Sequence, residues 1–238
     1  MPQWRSICQN SYLLKLIEKG VDLETKGRPP IFSINRESSA YREETMKTIQ
    51  EYLARNVIKE VHPAGQSTFP FFLIRQGEKL RPIVDLRPLN NFIRYHHFKM
   101  EGIHVAKSMI REKDWFCKVD LKDAYQSVPL SPAARQSIGF KHNGRCYQFQ
   151  VLPFGLSSAP RTFTKLMTAA MRPLREEGIR LVFYLDDILI MGRSEEEART
   201  ATRKTSDMLK RLGFTINEKK SVMTPTQEIT FLGMTLDS

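Results

Sequence analysis

Two adjacent aspartates, Asp186 and Asp187, stand inside the most apolar stretch of the chain, Leu181 to Met191. That placement limits what the chain can become. A carboxylate pair in apolar surroundings is costly unless something compensates it. A run interrupted in this way also falls short of the roughly 18 to 20 apolar residues that a membrane span needs. Length and flanks favour two short strands meeting at Leu185, Asp186 and Asp187, a hairpin whose turn carries both charges. Asp enters turns for backbone reasons alone, but this turn has no Gly or Asn, and neighbouring like charges need a reason to persist.

Asp120, 66 residues earlier, is placed in a similar way. It ends the run Trp115 to Leu121, in which Trp115, Cys117, Val119 and Leu121 alternate with Phe116, Lys118 and Asp120 as in a half-buried strand. If the two strands are neighbours in one sheet, three carboxylates converge, and a divalent cation is the natural compensation. Mg2+ takes oxygen ligands and leaves positions open for phosphate and water. Two such ions about 3.5 to 4 Å apart serve in-line displacement at phosphorus, the chemistry of nucleotidyl transfer.

The charge balance agrees with a phosphate-bearing partner. Lys and Arg total 37 against 26 Asp and Glu, a net charge of +11. From Ala124 to Arg175 the basic residues are Arg135, Lys141, Arg145, Arg161, Lys165, Arg172 and Arg175, with no acid, where a proportional share would be about six. Aromatic side chains (Phe140, Tyr147, Phe149, Phe154, Phe163) are interleaved with them. The expectation is a surface along a phosphate backbone; the plainer alternative is a solvated basic face.

The remaining composition excludes other classes. With 41% hydrophobic and 26% charged residues the chain has material for a core and is neither collagenous nor disordered. The first twenty residues lack the apolar core of a secretory signal, so an intracellular protein of cytoplasm or nucleus is expected, neither secreted nor membrane-bound. Cys8, Cys117 and Cys146 form no C-x-x-C pair and read as buried thiols.

Along the chain, residues 1–37 read as an irregular lead-in with a helical patch at Tyr12 to Ile17. An amphipathic helix is expected from Ser39 to about Lys59, carrying Tyr41, Met46, Ile49, Leu53 and Val57. Two strands, Phe69 to Ile74 and Leu80 to Leu86, are expected to form a hairpin with an arginine-rich tip at Arg75 to Lys79. A helix opened by Pro160 turns Phe163, Leu166, Met167, Ala170 and Leu174 inward until Pro173 and Gly178 close it. Ser194 and Glu197 form a capping-box signature for a helix with Ala198, Ala201, Met208 and Leu212 on one face. The fold class implied is one α+β domain with an antiparallel sheet.

The sequence Tyr184-Leu185-Asp186-Asp187 resembles the Y-x-D-D box of reverse transcriptases, and five further segments resemble that family in order. They are Arg81 to Asn90 (RPIVDLRPLN), Val119 to Tyr125 (VDLKDAY), Leu152 to Pro160 (LPFGLSSAP), Leu212-Gly213-Phe214 through Lys219-Lys220, and Phe231-Leu232-Gly233-Met234. Within the family, the F-G-L-S-S-A-P form and Phe98 to His104 (FKMEGIH) look most like DIRS-like retrotransposon enzymes, with gypsy-type elements as neighbours.

This resemblance implies the fingers and palm of a right-hand polymerase, with fingers at 38–114 and 126–150 and palm at 115–125 and 151–238. The thumb, connection and RNase H regions usual in retroelement enzymes are absent after the last motif, so the chain is expected to be either a fingers–palm fragment of a longer polyprotein or an unusually short polymerase. The implied activity is RNA-directed DNA polymerisation with two Mg2+ ions, for which Mn2+ can substitute. The partners would be an RNA template, a DNA or RNA primer, the RNA–DNA hybrid and dNTPs. By resemblance, Asp120 and Asp186 bind both metals with Asp187 in support, and Lys220, or its neighbour Lys219, protonates the leaving pyrophosphate. Arg81 clasps the triphosphate, and Arg75 either assists or is simply solvated. Leu121 lines the dNTP site, and Asp123 and Ala124 offer backbone N–H groups. Tyr125 excludes a ribose 2′-hydroxyl, Phe154 and Gly155 pack on base and sugar, and Phe231, Leu232, Gly233 and Met234 form the primer grip. Two other functions compete: a catalytically inactive nucleic-acid-binding remnant, opposed by the intact aspartates, and an RNA-dependent RNA polymerase, opposed by Tyr125 and the Y-x-D-D form.

Overall fold

The computed structural model describes residues 2–36 and 40–238. The expected helix start at Ser39 and the lead-in boundary at 37/38 lie outside the described residues. The helices are α1 (Pro2–Ile7), α2 (Ser11–Lys19), α3 (Arg42–Ala54), α4 (Arg87–Asn90), α5 (Ile103–Met109), α6 (Pro132–Gln136), α7 (Ala159–Glu176) and α8 (Glu195–Arg211). The strands are β1 (Ile58–Val61), β2 (Phe71–Gln76), β3 (Lys79–Val84), β4 (Trp115–Lys122), β5 (Gly139–His142), β6 (Arg145–Phe149), β7 (Arg180–Tyr184), β8 (Asp187–Gly192), β9 (Thr215–Ile216), β10 (Val222–Thr226), β11 (Glu228–Phe231) and β12 (Met234–Asp237). Every pairing between these strands is antiparallel, so the α+β expectation holds. The chain divides into two compact units, residues 1–14, 97–124 and 160–238, and residues 15–96 and 125–159. No helix among the described residues is long and apolar enough to cross a membrane.

The first unit is built on a sheet of order β10-β4-β8-β7, with β9 also pairing β4. β4 is a central strand rather than a half-buried one: Phe116, Cys117 and Val119 are all fully buried. On one side Phe116, Val182, Leu189 and Met191 meet Ile229, Phe231 and Leu236 from the β11–β12 hairpin. On the other side lies α8, and it approaches closely: a Cβ on Gly192 would stand 2.3 Å from the Ala198 nitrogen. The buried face of α8 is Ala198, Ala201, Thr202, Thr205, Ser206 and Leu209, while Met208 and Leu212 are only half-buried. The sequence favours the larger apolar residues for this face. Thr202 and Thr205 replace them because their hydroxyls bond back to the Ala198 and Ala201 carbonyls at 2.7 and 2.8 Å and need no other partner. The capping signature is correct at Ser194, whose Oγ accepts from the Glu197 N–H, although the Glu197 carboxylate accepts from the Arg193 N–H instead of that of Ser194.

Helix α7 passes through Pro173 instead of stopping there. The burial of Leu174 at 1% exposure and the ion pair of Arg175 with Glu101 at 2.6 Å hold its last turn despite the missing N–H. The lead-in is not irregular: α1 and α2 are helices, and Trp4 is buried edge-on to Phe214 with its indole N–H on the Leu212 carbonyl at 3.2 Å.

The second unit joins a three-stranded sheet, β1-β6-β5, to the β2–β3 hairpin. Helix α3 ends at Ala54, with Asn56 at φ 55°, and Val57 begins the turn into β1 instead of the helix continuing to Lys59. Ile58, at 1% exposure, pairs with Phe149; β-branched Val57 and Ile58 suit a strand, and the partner of Ile58 lies 91 residues away, beyond the reach of periodicity. The buried face of α3 is correspondingly Thr45, Ile49 and Tyr52, with Leu53 exposed. The β2–β3 hairpin is tighter than expected: Gln76 pairs with Lys79, leaving only Gly77 and Glu78 as the turn. The lead-in straps onto this unit as well. Val21 N–H donates to the Pro129 carbonyl and Ser131 N–H to that of Val21 at 2.8 and 2.9 Å. At Gly20, φ 84°, any Cβ would sit 2.4 Å from the Leu130 carbonyl carbon.

A bidentate ion pair ties the start of β4 to that of β7. Arg180 donates two 2.6 Å bonds to Asp114, which is 1% exposed at the side chain. Burial opposes ionisation of Asp114, but the Arg180 bonds and the Arg111 N–H outweigh it and hold the carboxyl below its ordinary range. Its stabilisation is therefore present above the unfolded aspartate pKa and lost as pH falls through the lower folded value. Asp114→Ala should cost about 3 to 5 kcal/mol in urea unfolding at neutral pH, because it leaves Arg180 unpaired, whereas Asp114→Leu with Arg180→Met should recover most of that loss.

Candidate active site

The β7–β8 hairpin brings the acidic pair into place. Leu, Val, Phe and Ile on both strands are buried, Tyr184 pairs with Asp187, and the two-residue turn is closed by Leu185 at φ 54° and Asp186. Leu185 adopts a left-handed conformation that an aliphatic residue enters only when its surroundings impose it. Here the ladder imposes it: β4 pairs β8 with Asp120 directly opposite Asp187, and the Leu121 N–H donates to the Asp186 carbonyl at 2.9 Å. The sheet thus gathers Asp120, Asp186 and Asp187 at one end of two neighbouring strands.

A turn after β9 reaches the same place. Asn217 N–H donates to the Asp120 carbonyl at 2.8 Å, the Asp120 N–H donates to Ser221 Oγ at 3.0 Å, and Lys220 is held between them with Nζ 3.9 Å from Asp120 Oδ2. Of the two adjacent lysines, Lys220 is the one placed beside the carboxylates. Burial raises the Asp187 carboxyl above its ordinary value, and the charges of Asp186 and Asp120 add to this, opposed by Lys118 and Lys220. Lys118 is a group the sequence analysis leaves without a role; its ammonium donates to the Thr230 carbonyl of β11 at 3.3 Å.

No three His, Cys, Asp or Glu side chains among the described residues form a ready-made metal cage. The donor chemistry nonetheless fits a hard cation: three carboxylates on adjoining backbone positions supply only oxygen, and Asp187 is raised first by burial and then by the charge of Asp186 beside it.

The remaining candidates fall as follows. Leu121 is buried at 2%, next to the carboxylate end of β4. Asp123, at φ 50°, and Ala124 lead out of β4 into a short 3-10 turn, Ala124–Ser127. Phe231 and Met234 pair across a two-residue turn in which Leu232 and Gly233 have φ 49° and 76°, the doubly positive form that suits a tight hairpin.

In the second unit, Ile74 pairs with Arg81 and Leu80 with Arg75, so strand alternation puts the two arginines on opposite faces of the hairpin. Arg81 is exposed and makes no ion pair among the described residues. Arg75 instead donates to the Tyr41 hydroxyl at 3.4 Å and lies over its ring. The two arginines thus stand on opposite faces of the hairpin, with Arg75 turned toward Tyr41. Tyr125 is buried, with the half-exposed Phe154 tilted against it at 5.1 Å between ring centres. Gly155 has φ 97°, and a Cβ there would meet the Val84 carbonyl oxygen at 2.9 Å. Its carbonyl accepts from Asn90 Nδ2 at 2.8 Å, and Asn90 Oδ1 accepts from Ser157 N–H at 2.9 Å. No spacing rule points to Asn90, because its partners lie 65 and 67 residues away.

The acid-free stretch is partly ion-paired. It is divided between the two units, and carboxylates arriving from elsewhere neutralise part of it: Glu60 on Arg145, Glu176 on Arg172 and Glu101 on Arg175. Lys165 lies over the Tyr12 ring at 5.1 Å.

Comparison with known proteins agrees with this geometry. Residues 74–236 match the family model described as Reverse transcriptase (RNA-dependent DNA polymerase). The genome polyprotein of Petunia vein clearing virus is 30% identical over 168 residues, 69% of this chain and 8% of that protein. The Transposon Tf2-3 polyprotein of Schizosaccharomyces pombe is 26% identical over 185 residues, 78% of this chain and 14% of that one. The chain therefore spans a small part of the curated relatives it matches. Among solved structures, the foamy viral protease-reverse transcriptase in complex with dsDNA superposes with a TM-score of 0.74 at 17% identity, covering 99% of this chain and 54% of that one. A Prototype Foamy Virus protease-reverse transcriptase mutant gives 0.76 at 20% identity, covering 91% and 29%. The order of the motifs, the paired aspartates on β4 and β8, and the match over residues 74–236 lead to one conclusion: this chain belongs to the reverse transcriptase (RNA-dependent DNA polymerase) family.

Proposed function

We propose that the chain is the polymerase portion of an RNA-directed DNA polymerase, adding dNTPs to a primer 3′-hydroxyl on an RNA template. The observation that carries this reading is the register that sets Asp120 opposite Asp187, with Asp186 in the adjoining turn. On this reading residues 115–125 and 151–238 form the palm and residues 38–114 and 126–150 the fingers. The F-G-L-S-S-A-P form and Phe98 to His104 support a retrotransposon origin in the DIRS-like group, with gypsy-type elements nearby. The low coverage of the polyprotein relatives supports thumb and RNase H regions elsewhere in a longer product.

In the palm, Asp120 and Asp186 would hold two Mg2+ ions, or Mn2+ in their stead, with Asp187 in support. When bound, the ions supply Lewis-acid activation and charge neutralisation at phosphate. Lys220, already beside Asp120, donates a proton to the departing pyrophosphate. The backbone N–H groups of Asp123 and Ala124 receive triphosphate oxygens, Leu121 packs beside them, and Phe231 to Met234 hold the primer end. In the fingers, Arg81 supplies a fork of donors for the triphosphate. In the palm, Tyr125 blocks the space of a ribose 2′-hydroxyl, and Phe154 and Gly155 face base and sugar. Arg75, turned onto Tyr41, serves the hairpin instead.

Asp186→Asn should slow primer extension at least about a thousandfold, since several kcal/mol of charge stabilisation is lost. Duplex affinity by fluorescence anisotropy should stay within about threefold. Wild-type extension by the purified variant would refute the assignment of metal to this cluster.

Tyr125→Val should admit ribonucleotides, lowering the dNTP-to-rNTP ratio of kcat/KM by about tenfold to a hundredfold, the scale on which an apolar pocket discriminates. Parallel single-nucleotide extensions measure it, and an unchanged ratio would remove Tyr125 from this role.

Because burial and like charge raise the Asp187 carboxyl, its ionised form costs stability. The cost is absent below the unfolded aspartate pKa and grows as pH rises through the higher folded value. In EDTA at pH 7.5, Asp187→Asn should raise Tm by about 2 to 4 °C, the effect of about 1 kcal/mol in a chain of this length. The gain should fade as pH approaches 4, and added Mg2+ should stabilise the parent more than the variant; a variant less stable than the parent in EDTA would contradict the charge argument.

A further inference from the structure

The loop between β6 and α7 has little secondary structure of its own, and the reading above asks it to hold Phe154 and Gly155 at a nucleotide. Two features make its conformation demanding. Gly155 stands at φ 97°, with its α-carbon so close to the Val84 carbonyl that a Cβ would come within 2.9 Å. Phe154 keeps 43% of its surface exposed while leaning on Tyr125. An exposed ring on a left-handed glycine needs an external constraint to keep one position.

Asn90 provides it. This residue ends α4, a single turn fixed by the buried Leu86 and Leu89 at 1% and 0% exposure and by the 2.8 Å bond from Asn90 N–H to the Leu86 carbonyl. At its start, the Arg87 guanidinium makes 2.6 and 2.8 Å bonds to Asp85. From this anchored turn the Asn90 amide uses both ends: Nδ2 donates to the Gly155 carbonyl at 2.8 Å, and Oδ1 accepts from the Ser157 N–H at 2.9 Å. An amide that donates to one residue and accepts from the next but one fixes both the position and the orientation of the peptide segment between them. Asp supplies no donor for the Gly155 carbonyl, and Ser or Ala provides neither bond at this reach.

We propose that Asn90 is a positioning residue of the nucleotide pocket, clamping the 153–157 loop so that Phe154 and Gly155 present a fixed surface to the incoming base and sugar. This rests on the assignment of that loop to the nucleotide. Asn90 itself touches no reacting atom, so its loss should appear in nucleotide affinity and selectivity, not in the chemical step.

The test uses Asn90→Ala and Asn90→Asp in the full chain. In primer extension, Asn90→Ala should raise KM for dNTP about tenfold, the scale of two lost hydrogen bonds, and weaken dNTP-to-rNTP discrimination. The rate at saturating dNTP should stay within about threefold and primer-template affinity should be unchanged. Asn90→Asp retains the bond to Ser157 and should fall between parent and Ala. Amide hydrogen exchange provides a readout independent of activity: Ser157 N–H should lose protection in Asn90→Ala and keep it in Asn90→Asp. Equal Ser157 protection in parent and Ala variant would overturn the clamp. Loss of protection with unchanged KM and discrimination would overturn the positioning role, as would a fall in rate that merely tracks a lowered Tm. If the parent extends no primer at all, the polymerase reading fails, while the exchange result still decides whether Asn90 holds the loop.

Discussion

Everything at the candidate site depends on the antiparallel ladder between β4 and β8, which forces Asp120 and Asp187 to face one another. Like charges on neighbouring strands repel, so the pairing exists only because the rest of the ladder holds it. Phe116, Val182, Leu189, Met191, Ile229, Phe231 and Leu236 form the core behind it, and each contributes roughly 1.5 to 3 kcal/mol by burial. The sum exceeds the few kcal/mol that an uncompensated carboxylate costs. The raised Asp187 carboxyl is the residue of that contest, a charge kept in place by its neighbours' hydrophobicity.

The same ladder explains why several partners converge there. Because β4 is central, its other edge is free to pair with β10 and β9, and the turn between those two strands carries Asn217, Lys220 and Ser221 to Asp120. The β11–β12 hairpin that follows packs beneath the sheet and receives the Lys118 ammonium on its Thr230 carbonyl. A lysine and a hairpin that are a hundred residues from Asp120 in sequence reach the acidic end through one shared strand.

In the second unit, constraint comes from single polar groups that bridge distant segments. Asn90 holds the 153–157 loop. Ser131 Oγ donates to Asp22, and Gly20 lets the lead-in lie against Leu130. Ser131 also caps α6, accepting from the Ala134 N–H, but nothing local announces the long-range bonds of Asn90 or Ser131. The lead-in that reads as irregular is consequently a structural part of both units, with Trp4 buried in one and Phe32 packed on Phe69 and Phe92 in the other.

By itself the sequence determines the elements whose signals are local. The β7–β8 hairpin follows from two apolar runs around Asp186 and Asp187, the α8 start from Ser194 and Glu197, and the existence of a β2–β3 hairpin from the two apolar runs Phe69 to Ile74 and Leu80 to Leu86, although strand pairing closes its turn to Gly77 and Glu78. The convergence of Asp120 with the pair was legible as a condition, that their strands be neighbours, and the motif order made it specific. Tertiary structure decides what depends on partners far along the chain. It ends α3 at Ala54 because Ile58 has Phe149 to pair with, and it carries α7 past Pro173 because Leu174 is buried and Arg175 has Glu101. It turns threonines inward on α8 because their hydroxyls find backbone acceptors, and it brings Glu60 to Arg145 and Glu101 to Arg175 in the otherwise acid-free stretch. It separates Arg75 from Arg81 because strand pairing sets them on opposite faces, a consequence of register that composition cannot carry.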